Sequence, residues 1–172
     1  MRRFWKGGGG TLAEFATHIT GSSAQYVTAN PTAKWVIQQL REAFPFEVAP
    51  RYLLMDRDSI FSAEVCRVLR HMEVRPVRTS FRSPWQNGVV ERCVGTWRRE
   101  LLNHVIVLNE EHLRRLLWEF LDYYHNDRTH LSLGKDPPTT RAVCSAPSPL
   151  ATVAALPRSG GIHHRYEWRE AA

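Results

Sequence analysis

Arg51-Tyr-Leu-Leu-Met-Asp56-Arg-Asp-Ser-Ile-Phe61 is the stretch on which the fold turns. A short apolar run follows Pro50 and breaks off at two acids and a serine. That pattern predicts a buried strand delivering Asp56 and Asp58 to a sheet edge. Val65, Val68, Leu69 and Met72 then recur at helical spacing, and Val74 to Val77 form a second short apolar run. Strand, helix, strand in that order predicts an α/β arrangement.

On the upstream side, Asn30-Pro31 offers an N-cap and N1 pair. Ala33, Val36, Ile37, Leu40 and Phe44 supply one apolar face to a helix ending near Pro45. Downstream, residues 79–86 are polar and broken, and Ser83-Pro84-Trp-Gln86 has the form of a capping box with proline at N1. Val90, Val94, Trp97 and Leu101 predict a helix with Glu91 beside its apolar face. A last helix starts near Asn109 with Leu113, Leu116, Leu117, Phe120, Leu121 and Tyr124 as its buried stripe, expected to pack against the sheet.

The two ends differ from this middle. Gly7 to Gly10 and Gly21-Ser-Ser interrupt any periodicity before Tyr26, and after Pro137-Pro138 the chain turns to Ala, Pro and Ser, then Gly160-Gly161. The expected division is an atypical segment 1–26, a core domain 27–143 and a flexible tail 144–172. No internal repeat is visible, which sets solenoids and propellers aside.

At 172 residues, with 43% hydrophobic and 23% charged residues, the chain has the length and proportions of one globular domain. It has no apolar run long enough to span a membrane and no apolar signal core at its start, so a soluble cytoplasmic protein without a membrane partner is expected. Cys66, Cys93 and Cys144 lie far apart with no CxxC pair, and are read as reduced thiols, mostly core filler. The formal charge of +6 suits a polyanion, because each cation placed on a phosphate releases counterions.

Asp56 after a strand and Glu91 in a helix are two carboxylates that an open α/β sheet can bring to one edge. Such a pair suits Mg²⁺, a hard ion that takes carboxylate oxygens, water and substrate phosphate. Solvated surface acids give the same spacing by chance, and the surrounding words are what raise the pair above that. Those words are Leu54-Met-Asp56-Arg-Asp-Ser-Ile-Phe61, Ser83-Pro-Trp-Gln-Asn-Gly-Val-Val-Glu91-Arg92, and Tyr123-Tyr-His-Asn-Asp-Arg128-Thr-His130-Leu-Ser-Leu133.

In order and kind, these three blocks resemble the retroviral-type integrase core of insertion-sequence DDE transposases. The resemblance covers roughly residues 27–143, with a fainter echo in Gly160-Gly-Ile-His-His-Arg-Tyr. It implies a ribonuclease-H-like fold, DNA strand cleavage and transfer on element ends and target DNA, two Mg²⁺ or Mn²⁺ ions, and a homo-oligomer. Carried over, Asp56 and Glu91 are the second and third catalytic acids and metal ligands; the 34 residues between them agree with the family spacing. Asp58 is the nearest competitor, with a turn or capping role as its plainer reading.

No Asp precedes Asp56, and Glu14, Glu42 and Glu47 are the only upstream acids. None sits in a strand-like run, so the first part of the family's sheet is expected to be incomplete and the triad with it. The alternative is a non-catalytic DNA-binding or interaction remnant of a transposase. For DNA contact the candidates are Arg78, Arg82, Trp85, Gln86, Asn87, Arg92, Arg98 and Arg99, around the polar loop and the helix of Glu91; a solvated helix face is the competing reading. His125, Arg128 and His130 are expected to tie the last helix and its exit loop to the core.

Overall fold

The computed structural model describes residues 6–7, 10–11, 27–44 and 49–170, with the side chains of Lys6, Thr11, Pro84, Asn87 and Val89 excepted. The chain is mixed α/β with short sheets, as expected of a ribonuclease-H-like integrase core. Lys6–Gly7 (β1) and Gly10–Thr11 (β2) form a small antiparallel pair.

Helix α1 spans Ala33–Ala43 and is capped by Thr32, whose side chain accepts from the Trp35 N–H at 3.2 Å. The Asn30-Pro31 signal thus lies two residues early, because the Thr32 hydroxyl supplies the capping acceptor. Strand β3 (Tyr52–Met55) and strand β4 (Arg75–Arg78) pair in parallel, with Met55 opposite Arg78. Helix α2 (Ala63–His71) connects them, capped by the Ser62 side chain on the Val65 N–H. Among the described residues this sheet has two strands.

Val36, Ile37, Leu40, Phe44, Met55, Val65, Cys66, Leu69 and Val74 form one buried cluster between α1, α2 and the sheet. It covers a single face. On the other, Tyr52 and Leu54 of β3 and Val77 of β4 are exposed, whereas parallel sheets ordinarily have both faces covered.

Helix α3 (Gly88–Glu100) and helix α4 (Glu110–Asn126, capped by Asn109) build a second cluster. Trp97, Leu101, Leu102, Leu113, Leu116, Leu117 and Phe120 are buried together with Val27. No residue of β3 or β4 belongs to this cluster, so α4 packs on α3 and not, as its stripe suggested, on the sheet. Val27, and the Ala29 N–H donated to the Glu110 carboxylate, bring the segment before α1 to the second cluster.

Where a flexible tail is expected, strands β5 (Thr152–Arg158) and β6 (His163–Arg169) form an antiparallel hairpin. Its inner face docks on α4: the His163 ring stacks on Tyr123 at 4.3 Å and 7°, and Ile162 packs against the second cluster. No disulfide joins the three cysteines; Cys66 is buried, Cys93 half-buried and Cys144 exposed, so only the first is fully core.

Candidate functional site

Asp56 leaves the C-terminal end of β3 as an exposed residue, and its Oδ1 accepts the Asp58 N–H at 2.9 Å. Asp58 has the plainer role: its Oδ1 accepts from the Ile60 N–H at 3.0 Å and stands 3.4 Å from the Ser59 hydroxyl, holding the turn toward α2. At the neighbouring strand end, the Thr79 N–H donates to the Met55 carbonyl at 2.9 Å, and Arg57 Nε reaches the Thr79 carbonyl at 2.9 Å. The end of β4 is thereby fixed beside Asp56.

From there the loop is braced back on itself. The Ser80 N–H donates to Gln86 Oε1 at 2.6 Å, and Gln86 Nε2 donates to Ser80 Oγ at 3.2 Å. Pro84–Asn87 form a 3-10 turn leading directly into α3. The capping box suggested by Ser83 and Gln86 is not made: Gln86 turns to Ser80, and the Ser83 hydroxyl donates to the Phe81 carbonyl at 3.2 Å. The brace roots α3 at the sheet end where Asp56 emerges, with Glu91 in the first turn of that helix.

The DNA-contact candidates divide by what they already touch. Arg78 donates to the Phe61 carbonyl and stands 3.9 Å from Cys66 Sγ, so part of its guanidinium serves the fold. Gln86 is the brace. Trp85 is 73% exposed and Phe81 72% exposed, with the Arg82 guanidinium 5.3 Å from the Phe81 ring centroid. Arg82 also holds a left-handed backbone, φ 57°, a costly conformation that persists where the surroundings demand it. On α3, Arg92 and Arg99 are exposed and Arg98 half-buried; Arg99 lies against the bare Cα of Gly95, where an added Cβ would meet its guanidinium at 3.0 Å. The Asn87 side chain lies outside the described residues.

A divalent ion of the expected kind needs several hard oxygen donors. Asp56 and Glu91 provide two carboxylates. Among the described residues, no three acidic, histidine or cysteine side chains stand together as a metal-holding group. Of the upstream acids, Glu42 is bonded to Gln38 at 2.6 Å on α1, and Glu14 and Glu47 lie outside the described residues.

The third sequence block does the tying expected of it. Arg128 donates to Glu100 from Nε at 2.8 Å and from Nη2 at 2.7 Å, joining the exit of α4 to the end of α3. That hydrogen bond holds the Glu100 carboxyl below its ordinary value and the guanidinium above its own. Burial, then the charge of Arg128, holds the His130 imidazole below its usual range. Burial raises the Tyr123 hydroxyl.

Sequence reasoning missed Asp127 and His163. Asp127 is buried against Arg158, Arg141 and Arg165, and His163 Nε2 lies 2.8 Å from the Glu100 carbonyl. The signal available was an acid directly beside the Arg128 of a matched block, with Arg158 and Arg165 in a segment taken for a tail and Arg141 just before it.

No helix among the described residues is long and apolar enough to cross a membrane. No curated protein matches the chain. A chain of the simian T-cell lymphotropic virus intasome, solved in complex with PP2A regulatory subunit B56 gamma, is similar at 18% identity and a TM-score of 0.49. The similarity covers 85% of this chain and 55% of that one, so this chain spans about half of its length. Residues 72–138 match the family model of the integrase core domain, a stretch that includes the braced loop, Glu91 and the Arg128 block and begins after Asp56. Over that stretch the chain carries an integrase-type core.

Proposed function

We propose that this chain is a transposase- or integrase-related core that binds DNA through the loop 79–87 and the exposed side of α3, and acts on the DNA backbone with Asp56 and Glu91 as ligands to Mg²⁺ or Mn²⁺. The observation that carries this reading is the rooting of α3, by the Ser80–Gln86 brace, at the sheet end where Asp56 emerges. Arg82, Arg92 and Arg99 suit phosphate oxygens, and exposed Phe81 and Trp85 suit unpaired bases at a DNA end. Bound ions would supply Lewis-acid assistance to phosphoryl transfer.

Self-association belongs to the same reading. The bare face of Tyr52, Leu54 and Val77 is apolar surface that a second copy would cover.

One observation favours a second reading. Since no trio of ligating side chains stands together among the described residues, the chain would bind DNA without cutting it, as a remnant of a transposase. Mn²⁺ binding followed by electron paramagnetic resonance separates the two. The catalytic reading expects saturable Mn²⁺ uptake weakened by both Asp56→Asn and Glu91→Gln; uptake indifferent to both substitutions leaves the remnant.

A further inference from the structure

Three arginines surround one carboxylate at the root of the hairpin. Asp127 follows α4, and its side chain is fully buried. Arg158 Nε donates to its Oδ2 at 2.8 Å. Arg141 Nη1 and Arg165 Nη1 stand 3.8 and 3.6 Å from Oδ1, attracted but not hydrogen-bonded. Asp127 Oδ1 and the buried Nε of Arg165 are left without a hydrogen-bond partner.

Charge is therefore out of balance. Arg158 alone neutralises Asp127, which leaves Arg141 and Arg165 in surplus, each with a side chain 40% exposed. Arg128, the next residue along, is already spent on Glu100. Glu167, two residues from Arg165 on β6, stands 3.6 Å from Arg169. Holding two guanidiniums beside a third costs energy that one carboxylate only partly offsets, and a second anion would remove that cost.

Two of the three arginines share a docked face of the hairpin. Leu156 lies opposite Arg165 and Arg158 opposite His163 in the hairpin register, so Arg158, His163 and Arg165 share one face. His163 clamps that face to α4 through Tyr123 and to the end of α3 through the Glu100 carbonyl. Guanidinium forks fixed in this way match the paired oxygens of a phosphate.

We propose that Arg141, Arg158 and Arg165, organised around buried Asp127, form a phosphate-binding site at the hairpin root that grips the DNA backbone, separate from the contact made by the loop and α3. The site rests on the DNA-binding reading for its ligand, but not on any metal or on cleavage.

The test is the salt dependence of binding of the full chain to a fluorescein-labelled DNA duplex, read by anisotropy. The double variant Arg141→Gln/Arg165→Gln keeps the Arg158–Asp127 pair, and its melting curve shows whether it folds. Its log–log salt slope should fall by about 1 to 2, with affinity falling about tenfold at moderate salt. The charge-keeping double variant Arg141→Lys/Arg165→Lys should retain most of the slope, whether or not the glutamine variant folds. A folded glutamine variant with the wild-type slope overturns the proposal. So does a lysine variant that loses as much slope as the glutamine one, since the effect would then be one of structure.

Inorganic phosphate at constant ionic strength is the second arm. If it raises the melting temperature of the wild type and not of the glutamine variant while DNA slopes stay equal, the site takes free phosphate and the DNA assignment falls. Failure of the broader reading looks different: binding then ignores Arg82→Gln and Arg92→Gln, whereas failure of the hairpin site leaves that dependence in place.

Discussion

Arg128 grips Glu100 with two parallel hydrogen bonds, 2.8 Å from Nε and 2.7 Å from Nη2, and so fastens the exit of α4 to the last residue of α3. Both side chains are about a quarter exposed, which shields the pair from much of the solvent screening that weakens surface ion pairs. Removing the fork by Arg128→Ala should cost about 2 kcal/mol, read by urea unfolding. Arg128→Lys should recover only part of it, because an ammonium cannot make the paired contact.

Acid should destabilise the fold through the same block. Glu100 is depressed by its bond to Arg128, so its contribution is present above the unfolded carboxylate value of 4.5 and is lost as pH falls through the folded value. His130 is depressed by burial and by Arg128, so the folded state resists its protonation, and its share is lost as pH falls below the unfolded value of 6.5. Both act in one direction. Melting temperature should fall from pH 7 toward pH 4, and Glu100→Gln should flatten the lower part of that fall.

The two buried clusters should behave as separate sites. Leu69 belongs to the first and Phe120 to the second, and both are fully buried. Leu69→Ala should cost about 2–5 kcal/mol and Phe120→Ala about 3–5 kcal/mol. With no shared neighbours, milder truncations at the two positions should add to within about 0.5 kcal/mol in the double variant. A large coupling would show that the clusters are one core.

Arg82 should trade stability against binding. Its left-handed backbone suits asparagine better, so Arg82→Asn should raise stability by up to about 1 kcal/mol while weakening DNA binding and lowering the salt slope by about 0.9. Trp85→Ala should leave melting unchanged and weaken binding to a frayed or single-stranded end by roughly tenfold.

Much of this was legible in the sequence where one signal determines one element. Tyr52–Met55 was readable because an apolar run ends at acids, and the Asn109 cap because it stands at the head of a clear stripe. Periodicity shows which face of α4 is apolar but not what that face meets, and so its packing on α3 could not be read. The hairpin was hidden because β5 carries Ala, Leu and Pro on a weakly alternating pattern, and its docking depends on His163 and Arg158 meeting residues far away in the chain. Asp56 and Glu91 are singled out as a pair by their neighbouring words alone; the brace from Gln86 to Ser80 was masked by a local capping alternative of the same residue types.

Metal-dependent nicking of DNA, compared between the wild type and Glu91→Gln, decides between a catalytic core and a DNA-binding remnant. Nicking in Mg²⁺ or Mn²⁺ is expected, and Glu91→Gln should abolish it in protein that remains folded and still binds the DNA. Folded wild-type protein that binds the same DNA and nicks none of it in either metal would contradict catalysis and leave a DNA-binding remnant.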